Sequence, residues 1–362
     1  LFRSYDLYNV NYLEKESFSD ERGVFTNVDK KGAFSLWRAY AQYRQNVTSK
    51  LLLTGGFHGM YLDFNQTYAV EPRLGARYRP AEKHTFAFAG GLYSQMIPRS
   101  FYFIRTLSPL GDIEYSNKKL GFMKSTHGDL SYDWGFAPDW HFKAEAYYQW
   151  LYNIPVKNDP DETYTILQAG GAGDNVIMRE GNLVNKGTGK NYGVELTIEK
   201  FMSNNYYLLF NSTFYRSTYT NGFNKKEWST VFDGKYLFNL ASGYELPLKK
   251  GWTLFADVKS SLAGGTRYTP VFEEESKQQR KLVYDNSRVN ELQVRHYFRT
   301  DLRIGYRKNR KKFTDELAID FQNVTNRKNI FGLSFDVDKG TYTEILLQGF
   351  MPMVTYRVNF AL

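Results

Sequence analysis

Charged residues recur at every second position in several stretches of this sequence. Because residues two apart share one face of an extended strand, each stretch would line a single surface. The basic members are Arg73, Arg77, Arg79, Arg299, Arg303, Arg307 and Arg357, and the acidic members are Glu71, Asp129, Asp133, Glu145, Glu195, Asp301 and Asp320. Two interpretations are open: a wall that contacts an anionic ligand, or a ladder of cross-strand ion pairs that neutralises itself.

Aromatic and amide side chains form a second set, in or beside segments that have no strand pattern. Such groups could stack on a small molecule that approaches from outside, although packing of one loop against another explains them equally well. The set contains Tyr93, Gln95, Phe101, Tyr102, Phe103, Trp228 and Phe331. From the two sets we take as candidate ligand-binding residues Arg73, Arg77, Tyr93, Gln95, Tyr102, Arg299 and Arg303.

Patterns for catalysis or metal binding are weak. The histidines are His58, His84, His127, His141 and His296, and none has a metal-ligand spacing such as HExxH. His127 and Asp129 share a strand face, but a hydrolase also needs a nucleophile that converges on such a pair. We therefore predict no catalytic residue, no metal and no cofactor.

Two charged segments have simple explanations. Asn158, Asp159, Asp161 and Glu162 offer oxygen ligands for a hard cation such as calcium, but their spacing does not fit an EF-hand loop. A solvated cluster of surface charges explains them better. The basic run Lys308–Lys312 could contact anionic lipid headgroups or a periplasmic partner, although a polar turn needs no such role.

Composition narrows the class of protein. Phe, Trp and Tyr make up 17% of the 362 residues, cysteine is absent, and the formal net charge is +9. Mean hydropathy is negative and no run of 18 apolar residues occurs, which excludes transmembrane helices. A membrane β-barrel remains compatible, because its strands expose an apolar residue only at every second position. The basic residues are dispersed, so we expect no nucleic-acid partner.

Alternation of apolar and polar residues indicates strands along most of the chain. In the closing segment, Met351–Leu362, the residues Val354, Tyr356 and Phe360 alternate with Thr355 and Arg357. The first clear strand covers residues 34–45, whereas residues 1–32 are polar and predicted to be irregular. Counted in this way, the chain contains about 13 strands.

The connections between these strands alternate in length. Turns of three to five residues separate segments that are mostly long, namely 96–122, 154–189, 220–231, 262–293 and 325–349. A soluble β-sandwich or solenoid needs no such asymmetry, whereas membrane barrels have short periplasmic turns and long extracellular loops. The sequence therefore predicts an all-β fold, a transmembrane antiparallel up-and-down β-barrel.

Four segments resemble the C-terminal barrel of TonB-dependent outer-membrane receptors, in the style of Bacteroidetes-type members. They are KNYGVELTIEK (190–200), PRLGARYRP (72–80), FQNVTNRKNIFG (321–332) and the closing TYRVNFAL (355–362). The resemblance covers essentially the whole chain, and its most specific part is the Asn-Val-Thr-Asn-Arg step. It implies a barrel of 22 strands around an N-terminal plug, of which this chain would supply about the last 13.

The sequence departs from that family pattern in lacking a plug, a TonB-contacting box and the first strands. We therefore expect residues 1–362 to be the C-terminal part of one barrel domain, and a start at Leu-Phe-Arg without Met suggests a missing upstream segment. An odd number of strands would also leave two open edges in lipid, which is costly. Ala361 and Leu362 follow Phe360, whereas many barrel strands end on the aromatic residue.

The resemblance implies a receptor, not an enzyme, in the outer membrane of a Gram-negative bacterium. It would take up a scarce nutrient of the siderophore-iron, cobalamin, glycan or peptide class. The implied partners are outer-membrane lipid, the protein's own plug, the TonB–ExbB–ExbD complex acting through the plug, and a surface lipoprotein. The alternatives are a passive porin, which needs no plug, and an outer-membrane barrel hydrolase with an active site at its rim.

Overall fold

The computed structural model describes residues 2–17, 24–107, 111–168, 180–280, 282–336 and 338–360. Their dominant element is one 15-stranded antiparallel sheet, in which fourteen strands have the same order as in the chain. These strands are β1 (Phe2–Ser17), β2 (Val24–Asn46), β3 (Leu51–Leu62), β4 (Thr67–Ala81), β5 (His84–Gln95), β6 (Met123–Ala137), β7 (Trp140–Lys157), β8 (Leu183–Ser203), β9 (Tyr206–Thr220), β10 (Tyr236–Pro247), β11 (Trp252–Ala263), β12 (Tyr297–Asn309), β13 (Phe313–Gln322) and β14 (Met351–Phe360).

Smaller elements lie in the connections. The fifteenth strand, Trp228–Ser229, pairs with β9. Two-stranded sheets join Thr106–Leu107 to Ile113–Glu114, Arg267–Tyr268 to Leu292–Gln293, and Ile330–Asp336 to Thr341–Leu346. An α-helix covers Glu273–Gln279, and short 3₁₀ turns cover Arg99–Phe103, Ile166–Gln168, Lys249–Gly251 and Asn286–Arg288. None of the helices in the described ranges is long and apolar enough to span a membrane.

The all-β, antiparallel, up-and-down arrangement confirms the fold class predicted from alternation. The long connection predicted at residues 96–122 begins after β5 ends at Gln95 and stops before β6 starts at Met123. β7 and β8 run further than predicted, since Leu183 pairs with Lys157 within the predicted loop 154–189. Residues 169–179 of that loop lie outside the described residues, as do Ala361 and Leu362 at the chain end.

The prediction that residues 1–32 are irregular was wrong. β1 pairs with β2 from Phe2 opposite Tyr40 to Ser17 opposite Val24, and residues 18–23 lie outside the described ranges. Apolar residues of β1 fall on both parities, so alternation gave no signal and the strand depends on its ladder with β2. This strand raises the number in the main path to fourteen, one more than expected.

The two faces of the main sheet differ in polarity. One face exposes large apolar side chains along many strands, for example Phe57 (63%), Leu74 (59%), Val354 (72%) and Phe360 (74%). The opposite face carries charged residues. Among them is Arg303 of β12, which is paired with Asp320 of the neighbouring strand β13. Since no second layer formed by the described residues covers the apolar face, this sheet differs from a soluble sandwich, which buries its apolar face.

The apolar core lies at the end of the sheet where the long connections are. Residues of the connection after β5, including Phe101 and Phe122, are fully buried together with Leu62 of β3 and Ile154 of β7. Phe64, which follows β3, lies 5.2 Å from Phe103 and 5.4 Å from Tyr102 between ring centroids, in edge-on contacts. Ring packing therefore fixes this connection against the strands.

The opposite end of the sheet consists of short turns with specific backbone requirements. Between β8 and β9, Asn204 and Asn205 both have positive φ (48° and 69°), as a two-residue hairpin turn demands. The buried ammonium of Lys200, 3% exposed, donates hydrogen bonds to the carbonyl oxygens of Ser203 (2.8 Å) and Tyr206 (2.9 Å). The lysine thus joins the two strand ends beside the turn through their carbonyl groups.

Candidate functional site

The most connected polar cluster lies on the charged face of β3 to β6. Register places His58 opposite Glu71, and it places Arg73 and His127 on either side of Gly91. Tyr93 follows two residues after Gly91 and therefore shares its face. Four neighbouring strands thus bring together one carboxylate, one guanidinium, one phenol and two imidazoles. We call these residues, His58, Glu71, Arg73, Tyr93 and His127, the wall cluster.

Glu71 anchors the wall cluster. Its side chain is 1% exposed, and its Oε2 accepts hydrogen bonds from His58 Nδ1 (2.8 Å) and from the Arg73 guanidinium. The other oxygen, Oε1, is buried and has no hydrogen-bond partner among the described residues, so the buried carboxylate depends on these two donors. Because two donors share one oxygen, Glu71 fixes the positions of both side chains.

Arg73, Tyr93 and His127 form a row of three planar groups in contact. The Arg73 guanidinium carbon lies 4.4 Å from the centroid of the Tyr93 ring, and the rings of Tyr93 and His127 are stacked with centroids 4.0 Å apart. His127 Nε2 is 3.9 Å from the Asp129 carboxylate. A cation–π contact therefore holds the guanidinium over the Tyr93 ring, and ring stacking holds that ring against His127.

Gly91 provides the space for this stack. An added Cβ at this position would lie 2.8 Å from the Pro72 carbonyl oxygen and 3.0 Å from Arg73 Cγ. Without a side chain at Gly91, the aliphatic part of Arg73 can lie across the backbone of β5 toward Tyr93. A larger residue would move the guanidinium away from the ring.

The wall cluster separates two concavities. The larger has a volume of about 900 Å³, and its polar and sulfur-containing lining residues are Arg38, Tyr40, Gln42, Thr54, His58, Met60, Arg73, Ser94, Gln95 and Met96. The smaller, of about 240 Å³, is lined by residues that include Tyr93, Gln95, Ser125, His127 and Gln149. Gln95 lines both. Three of the candidate residues, Arg73, Tyr93 and Gln95, therefore meet where the two concavities adjoin.

The remaining arginines of the candidate set behave differently. Arg303 donates to Asp320 (3.0 Å) and Glu316 (2.9 Å), and Arg307 continues the row from Glu316 (3.1 Å) to Glu245 (3.2 Å). This row matches one of the two interpretations of the charge spacing, namely a ladder of cross-strand ion pairs that neutralises itself.

Arg299 and Arg77 lie outside both the ladder and the wall cluster. Arg299 pairs with Asp301 (2.7 Å) and donates to Gln322 (3.0 Å). Arg77 is exposed on β4 and has no ion-pair partner within the part of the chain that the structure describes. In the described ranges, neither has a hydrogen bond or an ion pair with a residue of the wall cluster.

Most of the loop aromatics are buried. Phe101 and Tyr102 are fully buried and Phe103 is 3% exposed, all within the 3₁₀ turn of the long connection after β5. Burial raises the pKa of the Tyr102 phenol above its ordinary value. Trp228 is 7% exposed and packs on Tyr219, with centroids 5.6 Å apart, whereas Phe331 is 51% exposed. Packing of the connections against the strands thus accounts for the burial of four of these aromatic residues.

The residues considered for cation binding form an ordinary turn. The Asp159 carboxylate accepts a hydrogen bond from the backbone amide of Asp161 (3.0 Å). Across the described ranges, no three acidic or histidine side chains are grouped so that they could hold a metal ion. The acidic turn therefore offers no assembled ligand set in these ranges.

A hydrolytic arrangement around His127 is incomplete in the described residues. Ser125 precedes His127 by two positions on the same strand face, but its Oγ is buried and has no hydrogen-bond partner. A serine nucleophile needs a hydrogen bond to its base. The imidazole of His127 is instead stacked on Tyr93.

An up-and-down antiparallel sheet with exposed apolar residues on one face and charged residues on the other belongs to the class of β-barrel walls. A family model described as TonB dependent receptor-like, beta-barrel, matches residues 2–326. The chain therefore belongs to the family of TonB-dependent receptor-like β-barrels. No curated protein matches the chain in sequence.

Solved structures agree in fold. The ferric yersiniabactin uptake receptor FyuA from Yersinia pestis has a TM-score of 0.60 and 13% identity, with 96% of this chain and 49% of that chain covered. The ferric-catecholate import receptor Fiu from K12 E. coli has a TM-score of 0.62 and 13% identity, with 94% of this chain and 46% of that chain covered. The outer membrane transporter YddB from Escherichia coli has a TM-score of 0.62 and 11% identity, with 98% of this chain and 50% of that chain covered. The chain spans about half the length of these structures.

The sequence identified the members of the wall cluster singly but not their association. Arg73 came from charge spacing and Tyr93 from its place beside a loop, while His58 and His127 carried no motif. Arg73 meets Tyr93 diagonally, because the residue directly opposite Arg73 is Gly91. The pair of glycines opposite Arg73, Gly56 and Gly91, was the available signal, since glycine in a strand often marks a close approach.

Proposed function

We propose that this chain is the C-terminal barrel portion of a TonB-dependent receptor in the outer membrane of a Gram-negative bacterium. Residues 1–362 would form part of one barrel domain whose activity is uptake of a scarce nutrient rather than catalysis. The two-faced sheet and the family match support the outer-membrane placement. The Bacteroidetes-type assignment comes from the four segments quoted above and stays a proposal.

The proposed partners follow from this placement. Outer-membrane lipid would surround the exposed apolar face, and a plug from the same polypeptide would lie against the charged face. The TonB–ExbB–ExbD complex would act through the plug, and a surface lipoprotein could cover the long connections. Two structures of similar fold are receptors for ferric yersiniabactin and for ferric catecholates, which makes siderophore-bound iron the first class of ligand to test.

The wall cluster is the observation that carries this proposal. It holds a guanidinium and two rings in fixed positions at the junction of two concavities of about 900 Å³ and 240 Å³. Fixed aromatic and cationic groups recognise a ligand without a large ordering cost. We propose that Arg73, Tyr93 and Gln95 contact the nutrient, while Glu71 positions Arg73. Arg77 and Tyr102 stay candidates of lower rank, because they lie outside this junction.

The test uses the full-length protein in detergent and a panel of probes. The probes are ferric enterobactin, ferric yersiniabactin, cyanocobalamin, a linear oligosaccharide and a tetrapeptide, and binding is measured by calorimetry. We expect saturable binding of one probe and a loss of about tenfold in affinity for Tyr93→Ala, as removal of a stacked ring costs about 1–2 kcal/mol. Tyr93→Phe keeps the stack and should bind nearly normally.

Arg303→Met is the matched control, because Arg303 belongs to the ion-pair ladder and not to the wall cluster. Its affinity should equal that of the wild type. Ligand-independent conductance of the full-length protein in planar bilayers, with no saturable binding, would show that the protein is a porin and not a receptor. Turnover of a bound probe that is lost in His127→Ala would show that the protein is a hydrolase.

A further inference from the structure

Two neighbouring short turns carry an unusual concentration of positive charge. The turn between β10 and β11 contains the 3₁₀ segment Lys249–Gly251, and the turn between β12 and β13 follows Asn309. They are adjacent, because Trp252 pairs with Lys308 and an added Cβ at Gly251 would lie 2.8 Å from the Asn309 carbonyl oxygen. The cations of this basic corner are Lys249, Lys250, Lys308, Arg310, Lys311 and Lys312.

Little of this charge is neutralised within the protein. Arg310 pairs with Asp315 at 2.9 Å. The nearby carboxylates of Glu245 and Glu316 are already bound to Arg307, at 3.2 Å and 3.1 Å. Four of the lysines are exposed and have no ion-pair partner within the described ranges. These are Lys249, Lys250, Lys311 and Lys312. These four ammonium groups therefore face solvent in one place.

The other short turns at this end carry one lysine each at most, and the turn after β2 contains Lys50. The turn after β4 contains both Glu82 and Lys83, and the turn after β6 contains only Asp139. The β8–β9 turn consists of two uncharged asparagines. Four exposed lysines in two adjacent turns thus distinguish this corner from the other turns, which carry one lysine each at most.

Exposed apolar side chains continue from the basic corner along the same strands. Leu246, Leu248 and Leu254 are 44–45% exposed. The Trp252 ring lies 5.1 Å from that of Tyr306, and Lys308 Nζ lies 4.4 Å from the Trp252 centroid. Aromatic rings with lysines at their polar edge are typical of the boundary between acyl chains and headgroups.

We infer that the basic corner binds the phosphate headgroups of anionic phospholipids through Lys249, Lys250, Lys311 and Lys312. The leucines and Trp252 would contact the acyl chains of the same lipid molecules. A phospholipid matches both halves of this surface, whereas free phosphate matches only the cations. The inference uses the outer-membrane placement of the proposed function but not nutrient uptake, and the two can fail separately.

The experiment measures lipid retention by native mass spectrometry. Full-length protein is delipidated in detergent and titrated with phosphatidylglycerol or phosphatidylethanolamine, for the wild type and for K249Q/K250N/K311Q/K312Q. Asparagine is chosen at position 250 because Lys250 has φ 63°, which asparagine tolerates. We expect the wild type to prefer phosphatidylglycerol, and the variant to lose about tenfold or more of this retention, because lysines near an anionic surface act together.

The matched control is K50Q/K83Q, which removes two exposed lysines from other short turns. It should retain phosphatidylglycerol like the wild type, and the preference should weaken in 1 M salt as charges are screened. Equal retention by the fourfold variant, with normal heat-modifiable migration as proof of folding, would overturn the inference. So would displacement of the lipid by millimolar inorganic phosphate, or binding of an acidic peptide without any preference between the two lipids.

Discussion

Asp233 is the residue on which the ends of several connections depend. Its side chain is 0% exposed, and it accepts hydrogen bonds from Ser229 Oγ (2.9 Å) and from the backbone amide of Ser217 (3.0 Å). Arg216 and Arg267 reach the same carboxylate at 3.2 Å each. One carboxylate thus joins β9 to the connections that follow β9 and β11.

Replacement of Asp233 by alanine should loosen this end of the sheet. Removal of one partner leaves the buried Arg267, 9% exposed, without its countercharge, and such losses cost about 3–5 kcal/mol. Hydrogen exchange of the full-length protein should accelerate in residues 216–234 and 265–293. Asp338→Ala is the control, because the Asp338–Arg280 pair is 75% and 80% exposed and such pairs contribute little. Unchanged exchange in Asp233→Ala would refute the role assigned to this carboxylate.

At the residue scale, the sequence could predict which side chains face inward but not which of them touch. The spacing of Arg303, Arg307 and Asp320 was sufficient to suggest a ladder, since directly opposite residues pair in any antiparallel sheet. The association of Arg73 with Tyr93 was not accessible in this way. It depends on the diagonal offset across Gly91, and therefore on the register of two ladders.

Hairpin positions were the most predictable elements. Turns such as Asn204-Asn205 and the lysine turn after β10 interrupt clear alternation, so their strands end where the pattern ends. The extension of β7 and β8 into the long connection, and the existence of β1, were missed for one reason. In both places pairing with a neighbouring strand, and not alternation, holds the backbone extended.

At the element scale, Gly264 sets how closely the end of β11 approaches its neighbour. An added Cβ would lie 1.6 Å from the Gly234 carbonyl oxygen, so the backbone must move to admit any side chain. We expect Gly264→Ala to lower the free energy of unfolding by about 1–3 kcal/mol, as overpacking does. Urea unfolding of the refolded full-length protein measures this loss.

The control for that measurement is Gly135→Ala on β6. No atom lies within 4 Å of its added Cβ, and alanine lowers the backbone entropy of the unfolded chain. Its unfolding midpoint should equal or exceed that of the wild type. Equal midpoints for the two variants would show that the close approach at Gly264 has no energetic importance.

At the scale of the whole molecule, the main sheet has two edges within the described residues, at β1 and β14. Unpaired edges are costly in a bilayer, so we expect further strands of the same polypeptide to close the barrel. The chain covers 46–50% of three structures that it matches. The native polypeptide should therefore have a mass of about twice 42.2 kDa under denaturing conditions, measured by intact mass spectrometry.

A native mass near 42.2 kDa would contradict that expectation. The barrel would then have to close with a second chain or with a different strand count. Cross-linking between copies, with cysteines introduced at β1 and β14, would distinguish these two arrangements.

The order of the strands also affects how the sheet can assemble. Each ladder of the fourteen-strand path joins strands that follow each other along the chain. Closing a loop costs entropy that grows with loop length, so the hairpins with short turns, such as β8–β9, have the smallest barrier to formation. Ladders across the long connections, such as the one that pairs Trp252 with Lys308, join residues far apart in the sequence and form more slowly, so the main sheet can grow by the joining of preformed hairpins.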